Sequence, residues 1–423
     1  MKTMKVILIG AGNRGMSYTD IMEKQKEKFQ VVGVAEPVED RRSYIQHKHN
    51  ISEAFCFDTW ETILQQPKFA DIAVISTMDR DHTAPALKAL ELGYDLLLEK
   101  PAASTPEECV QIMNQAKKYG RKVMVCHVMR YNPFYNRLKK TINSGVIGDV
   151  VSIVHNEDVG AIHQSHSFVR GNWGNSQKSS FMLLQKSCHD MDFIQWLLDK
   201  ECKKIQSFGS LRYFKRENAP QGSPEYCIEG CPNAEECMYN AVKLYARETA
   251  SDWFKTTSTH MTNPTMEDLE NAIRTTQYGK CVFKCDNDVV DHQVVNMEFE
   301  DDTTVTFTMC AFSSMGRTTK IMGTKGFVIA RMSGNVLDVY DLAGNKISEQ
   351  EAEEVDDTIT GGHGGGDAGI VAALYDYITG KKDASEVSEI EISCKNHMLA
   401  FAAEKSRLEG IVVDVNEYWK SFL

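Results

Sequence analysis

The chain has 423 residues, of which 42% are hydrophobic and 25% charged; this is ample for buried cores and longer than one average domain. Its 59 acidic and 47 basic residues leave a net charge of -12, and with no sustained basic run this excludes nucleic acid and anionic membrane surfaces as partners. No apolar run approaches the roughly 18 residues that cross a bilayer, and the first apolar run already reads as a strand rather than a leader, so a cytoplasmic protein is expected. The twelve cysteines then read as thiols, not as a disulfide scaffold.

Residues 6–9 are apolar and largely β-branched, the pattern of a strand buried on both faces of a parallel sheet. Gly10, Gly12 and Gly15 follow in G-x-G-x-x-G spacing, with Asn13 and Arg14 inside the loop and a helical segment directly after. Gly10 permits the tight turn and Gly12 lets backbone approach a pyrophosphate. Gly15 lets the helix pack on the strand, with phosphates at the helix N-terminus. A second apolar run at 31–35 ends in Glu36, at the distance where an acid hydrogen-bonds an adenosine ribose. Together these features predict a dinucleotide site. Glu36 would repel a 2′-phosphate, which favours NAD over NADP, although Arg41 and Arg42 follow closely and could attract one.

Further strand signals at 70–77, 94–98 and 122–126 alternate with helical ones at 84–92 and 106–119. The alternation specifies an α/β first domain over residues 1–128, a Rossmann-type doubly wound parallel sheet. The pattern changes near Arg130. A helix at 133–144 and a turn at 145–148 lead into strands at 150–154, 289–300, 303–311, 318–322, 327–331 and 336–340, with a hairpin turn at Asp301 and Asp302. Residues 129–423 are therefore expected to form an α+β domain around a large open, mostly antiparallel sheet. Residues 349–357 read as an acidic surface stretch.

Residues 182–198 read as one helix, because Leu184, Cys188, Met191, Ile194 and Leu198 recur at three- and four-residue steps. Gln185, His189 and roughly Asp192 share another face, while Lys186 and Asp190 are offset by about 100°. A Pro/Gly/Glu-rich insertion near 215–262 carries Cys227, Cys231 and Cys237. These thiols would bind metal if a fourth ligand such as Cys202 joined them, but the spacing matches no standard zinc pair, and ordinary reduced cysteines are the other reading. Cys281 and Cys285 bracket a strand-like stretch. No catalytic metal motif is present. Residues 360–367, TGGHGGGD, precede a helical segment at 368–378 and shape a loop that passes close to something. His363 there either meets substrate or fills a flexible loop; Asp367 caps the helix or binds sugar hydroxyls.

The GAGNRG loop, the strand ending in Glu99-Lys100-Pro101, and the order of segments along the chain resemble the Gfo/Idh/MocA family of glucose–fructose oxidoreductase, inositol dehydrogenase and relatives. That resemblance implies that Lys100 projects toward the nicotinamide and substrate as the proton-exchanging group. It also implies that Thr77, Asp79 and His82 form the cofactor-side loop, with Glu99 nearby. Arg130 either contacts the cofactor or packs as a structural cation. The family places Asp and His four apart on the helix that carries His189. His189 matches the histidine, but Gln185 stands where the Asp belongs, so a relay through Lys100 and His189 is the expectation. Gln185, Lys186 and His363 are then the substrate-side candidates. Similar HGG-D segments occur in the family's NAD-dependent glycosidases.

Three functions follow. The first is an NAD-dependent oxidoreductase acting on a secondary hydroxyl of a sugar, glycoside or cyclitol. The second is a glycoside-cleaving enzyme that oxidises a ring carbon transiently, eliminates the aglycone and shows no net redox change. The third is a non-catalytic sugar sensor on the same fold. A homodimer or homotetramer is expected, because the family pairs its open sheets.

Overall fold

The computed structural model describes residues 2–349 and 362–423; the acidic residues from 350 to 357 and the start of the glycine cluster, Thr360 and Gly361, lie outside them. Six strands come first: β1 (Met4–Ile9), β2 (Phe29–Ala35), β3 (Cys56–Phe57), β4 (Ile72–Ile75), β5 (Asp95–Leu98) and β6 (Val123–Val125). They pair in parallel in the order β3-β2-β1-β4-β5-β6. Every residue of β4 is fully buried, as a strand covered by helices on both faces must be. Each such Val, Ile or Leu contributes about 1.5–3 kcal/mol. The strand order reverses between β1 and β4, so the loops at their carboxyl ends part and leave a crevice there.

Local signals account for the helices around this sheet. The helix Pro106–Tyr119 starts where the Thr105 side chain accepts from the Glu108 N–H at 3.2 Å, with Pro at the first helical position, and stops at Gly120 in the left-handed region.

The second domain holds β7 (Val150–Asp158), β8 (Cys202–Ser210), β9 (His292–Phe299), β10 (Thr304–Cys310), β11 (Gly316–Gly323), β12 (Gly326–Arg331), β13 (Val336–Asp341), β14 (Lys346–Glu349) and β15 (Val413–Asp414). Their order is β14-β13-β12-β11-β7-β10-β9-β8-β15. β7 and β10 run parallel, while the other described neighbours are antiparallel. A crossover through the helix Cys188–Leu198 joins β7 to β8, which sets that one parallel pairing. The helices Cys188–Leu198 and Ile390–Glu409 cover one face of the sheet, and Met191, Ile194, Phe299, Phe307 and Leu399 share the resulting core.

Two local expectations fail. Residues 182–198 are two helices, Met182–Gln185 and Cys188–Leu198, broken at Lys186 and Ser187. Ser187 sits at φ -100, ψ 8, outside the helical region, and the helix beyond it is buried nearly all round, so the apolar period continued through the break. Residues 281–285 form a turn rather than a strand.

A buried ion pair ties the turn after β6 to two helices of the second domain. Arg130, in the turn Val128–Tyr131 after β6, donates to both Asp192 oxygens at 2.7 and 2.8 Å, and Asn396 of the long helix donates to the same carboxylate at 2.6 Å. Asp192→Ala leaves the guanidinium buried without its counter-charge and should cost about 3–5 kcal/mol, read as a lower urea midpoint at unchanged m-value.

Three core histidines add a pH dependence. Burial, with the nearby charge of Arg130 and Lys100, lowers His127 to about 4 against the pull of Asp192. Burial lowers His397 to about 3 with His127 assisting, and burial beside Arg170 lowers His166 to about 3. The unfolded chain, with histidines near 6.5, binds more protons below that pH. Stability is therefore complete above about 6.5 and falls as the pH drops toward 4, by ~1.4 kcal/mol per unit for each such histidine. Melting temperatures from pH 7.5 to 4.5 should fall before the carboxylates titrate; a flat profile over that range would contradict the assignment.

Candidate active site

At the crevice, Gly10 has φ +88, and a Cβ there would stand 2.6 Å from the Ser76 carbonyl oxygen. A Cβ on Gly15 would stand 2.2 Å from the Gly10 oxygen, so the helix Asn13–Glu23 can approach the loop only without a side chain. Gly12 caps that helix with no side-chain hydrogen bond, and nothing lies within 4 Å of where its Cβ would be. The first turn of the helix thus has no side-chain cap, and the space beside Gly12 is open, as pyrophosphate binding requires. Glu36, 5% exposed at the end of β2, accepts from the Ala11 N–H at 2.6 Å and the Val38 N–H at 3.0 Å. Its carboxylate is fixed at the ribose end. These residues fit a dinucleotide.

The other cofactor-side residues build walls. Thr77 bonds the Asp81 carbonyl at 2.9 Å. His82 bridges two backbone oxygens, Pro101 at 2.7 Å and Thr77 at 3.2 Å, and so stitches the loop after β4 to the Glu99-Lys100-Pro101 segment. Asp79 accepts from Trp173 Nε1 at 3.1 Å and Ser179 Oγ at 2.8 Å, drawing the second domain onto this loop. Asn13 reaches Thr257 Oγ1 at 3.4 Å. Arg130 is engaged by both oxygens of Asp192.

Arg14 points inward rather than toward the phosphates. Its guanidinium donates to Glu99 at 2.9 Å, to Asp367 at 2.9 and 2.7 Å, and to Tyr18 Oη at 2.6 Å. Burial pushes the Glu99 and Asp367 carboxyls up, but Arg14 with Lys100 on the first, and Arg14 with His363 on the second, outweigh it and hold both below the usual carboxylate range. His363 bonds Asp367 through Nδ1 at 3.1 Å, and its own carbonyl accepts from Asn132 at 2.8 Å. It sits at φ 50, ψ 44, a left-handed conformation that a residue with a Cβ holds only when its surroundings fix it.

Lys100 Nζ donates to the Gln185 carbonyl oxygen at 2.8 Å. In a continuous helix that carbonyl would accept from the N–H four residues on, at His189. The break at Lys186 and Ser187 leaves it to the lysine. The Gln185 amide turns away to the Ser180 carbonyl, and its Oε1 is buried without a partner. His189 has its Nδ1 buried and unpartnered, leaving Nε2 to meet a ligand. Burial, then the nearby Lys100, His127, Arg317 and His363, lower its pKa well below the ordinary value, so it is neutral near pH 7.

Lys186 is offset as expected and bonds Glu157 at 3.2 Å, its pKa lowered by burial. Behind it lies a network with no sequence signal. Arg317 of β11 donates to Asp190 at 2.6 Å and forms an ion pair with Glu157 at 2.9 Å, and His155 of β7 meets Asp190 at 3.0 Å. Burial, then Lys186, His166, Lys100 and Arg317, also lower the pKa of His163 well below 6.5. Neither Arg317 nor His163 stood in a recognisable pattern.

The cysteines of the insertion line a separate pocket. Cys227, Cys231, Cys237 and Cys281 line a pocket with Arg170, which meets Cys227 Sγ at 3.6 Å. Cys202 lies elsewhere, on β8 beside the Lys204 and Glu298 carbonyls, so it is not the fourth member considered from sequence. Among the described residues no three His, Cys, Asp or Glu side chains are gathered to hold a metal ion, and no helix is long and apolar enough to cross a membrane.

YteT of Bacillus subtilis is 25% identical over 395 residues, covering 88% of each chain. An inositol 2-dehydrogenase of Salmonella typhimurium is 25% identical over 218 residues, 51% of this chain and 60% of that protein. The 2,7-anhydro-N-acetylneuraminate hydratase of Mediterraneibacter gnavus is 26% identical over 200 residues, 47% of this chain and 50% of that one. Scyllo-inositol dehydrogenase of Lactobacillus casei, solved with NAD(H) and scyllo-inositol, superposes with a TM-score of 0.67 at 17% identity, covering 98% and 100% of the two chains; at that identity the likeness shows the fold. Residues 4–127 match the oxidoreductase family's NAD-binding Rossmann fold and residues 139–388 its C-terminal alpha/beta domain, so the chain belongs to the Gfo/Idh/MocA oxidoreductase family.

Proposed function

We propose that this protein oxidises a secondary hydroxyl of a sugar, glycoside or cyclitol with NAD as hydride acceptor. The observation that carries this reading is the placement of Lys100: its Nζ stands at the carboxyl end of β5, beside the crevice, anchored by a backbone carbonyl with no carboxylate in hydrogen-bond contact among the described residues. Bound between the Gly12 loop and Glu36, NAD supplies the hydride chemistry. Lys100 takes the hydroxyl proton. Neutral His189, through Nε2, orients a neighbouring hydroxyl, and His363 closes the cleft from the glycine-rich segment. NAD is favoured over NADP because Glu36 fills the ribose end, Arg42 is bonded to the Glu36 carbonyl at 2.5 Å, and Arg41 is partly covered beside the Thr256 carbonyl.

A second reading, glycoside cleavage or hydration with no net redox change, is favoured by Gln185. A glutamine cannot take the proton that the family's aspartate would, and the related anhydroneuraminate hydratase has a name that describes no net oxidation. Both readings need Lys100.

Lys100→Ala should keep NAD binding and lose about 10²–10⁴-fold in turnover; unchanged turnover would remove the lysine from the chemistry. A panel of sugars, cyclitols and aryl glycosides, followed for NADH at 340 nm and for aglycone release in the same cuvette, separates the readings. NADH formation supports oxidation. Aglycone release without NADH supports redox-neutral cleavage.

A further inference from the structure

We propose that the insertion between β8 and β9 is a strap that holds the nicotinamide cofactor in place from one turnover to the next. The inference rests on the dinucleotide assignment of the crevice, and its observations are separate from those that assign Lys100.

The strap, residues 211–291, has the build of a folded body. It holds two small cores, one around Phe214, Tyr239 and Phe283, shared with Val169 and Ala311 beneath it, and the other around Tyr245, Ile273 and Tyr278. Its base is pinned by Asp291, fully buried, which accepts from the backbone N–H groups of Arg212 at 3.0 Å and Tyr213 at 2.7 Å. A body anchored in this way transmits the position of its base to its far end.

The far end is the helix Asp252–Thr259, started by the Ser251 cap and ended by His260 at φ 59. It meets both walls of the crevice. On the pyrophosphate side, Asn13 in the first turn after Gly12 donates to Thr257 Oγ1 at 3.4 Å. On the ribose side, Asp40 in the first turn of the helix Glu39–His49 accepts from the Thr262 N–H at 2.7 Å and its hydroxyl at 2.8 Å. Arg41 reaches the Thr256 carbonyl at 3.5 Å. Threonines of the strap thus bridge the two helices between which the adenosine half must lie. Burial lowers the pKa of both Arg41 and His260, as expected of cationic groups taken out of water by this cover. At the other end of the crevice, the second domain also clasps the loop after β4, where Arg80 donates to the Ser176 carbonyl at 3.1 Å and Trp173 to Asp79 at 3.1 Å.

The chemical consequence concerns the reaction cycle. An oxidoreductase that releases reduced cofactor must open this cover in every turnover. A retained cofactor must instead be reset in place, either by the same sugar after bond cleavage or by a second carbonyl compound that takes the hydride.

The test is cofactor exchange, read without any sugar. Protein purified by gel filtration is denatured and its nucleotide quantified by mass spectrometry; a loaded sample is then chased with isotopically labelled NAD. Wild type should emerge close to one NAD per chain and exchange slowly. Asp40→Ala, which removes both bonds to Thr262 while sparing the crevice itself, should exchange about tenfold faster with an unchanged circular dichroism spectrum. Asp40→Asn, which keeps one acceptor oxygen, should fall between. Wild type that loses its nucleotide on the column, or Asp40→Ala that exchanges at the wild-type rate, overturns the strap. Sugar turnover is scored separately: slow exchange with no turnover of any sugar upholds the strap and overturns the proposed activity, whereas fast wild-type exchange with turnover does the reverse.

Discussion

The arrangement depends on where the Arg14 guanidinium finds its counter-charges. An arginine cannot shed its proton, so once folding takes it largely out of water it must be met by carboxylates and hydrogen-bond acceptors. Glu99 comes from the end of β5, and Asp367 opens the helix Gly366–Ile378, 353 positions away along the chain. Tyr18, one helical turn on, bonds both Arg14 and Glu99 at 2.6 Å. Leaving any of these groups unmet costs more than the assembled network gains, so its main effect is to select one geometry. The second Glu99 oxygen accepts from the Lys100 N–H at 2.7 Å. One carboxylate therefore fixes the cofactor loop and the lysine together.

From that anchor the electrostatics of the cleft follow. The acids nearest the cleft are already engaged: Glu99 and Asp367 with Arg14, Glu157 and Asp190 with Arg317 and Lys186. The imidazoles His163 and His189 sit among cations and are neutral, able to donate from one ring nitrogen and accept at the other. A sugar hydroxyl needs both kinds of partner. In the proposed reaction the neutral rings orient the substrate and the lysine takes the proton.

What could be read from the sequence was what repeats locally. The parallel sheet showed itself because buried strands are short apolar runs and their crossover helices carry caps such as Thr105 and Gly120. The glycine loop and Glu36 were legible because a backbone cradle admits few residue types. The substrate side was harder. The break at Lys186 and Ser187 stayed hidden because a helix buried nearly all round keeps its apolar period through the interruption. Arg14 lies inside the glycine loop, and nothing near it in sequence announces Asp367. Arg317, His155 and Asp190 meet only through sheet register, which composition does not encode. The insertion was visible as a change in composition, but its contact with Asp40 depends on tertiary position alone.

The helix break also explains how a glutamine can stand where the family's aspartate belongs. An aspartate beside the lysine would hold Nζ in place and supply a negative charge of its own. Here the Gln185 backbone carbonyl, released from helical bonding, holds Nζ at 2.8 Å and supplies only a dipole. In the proposed oxidation the nitrogen is then left to take the hydroxyl proton as hydride leaves the adjacent carbon, and the positive charge it gains is not already neutralised by a carboxylate beside it. Position and charge, which one carboxylate would couple, are separated by a kink two residues long.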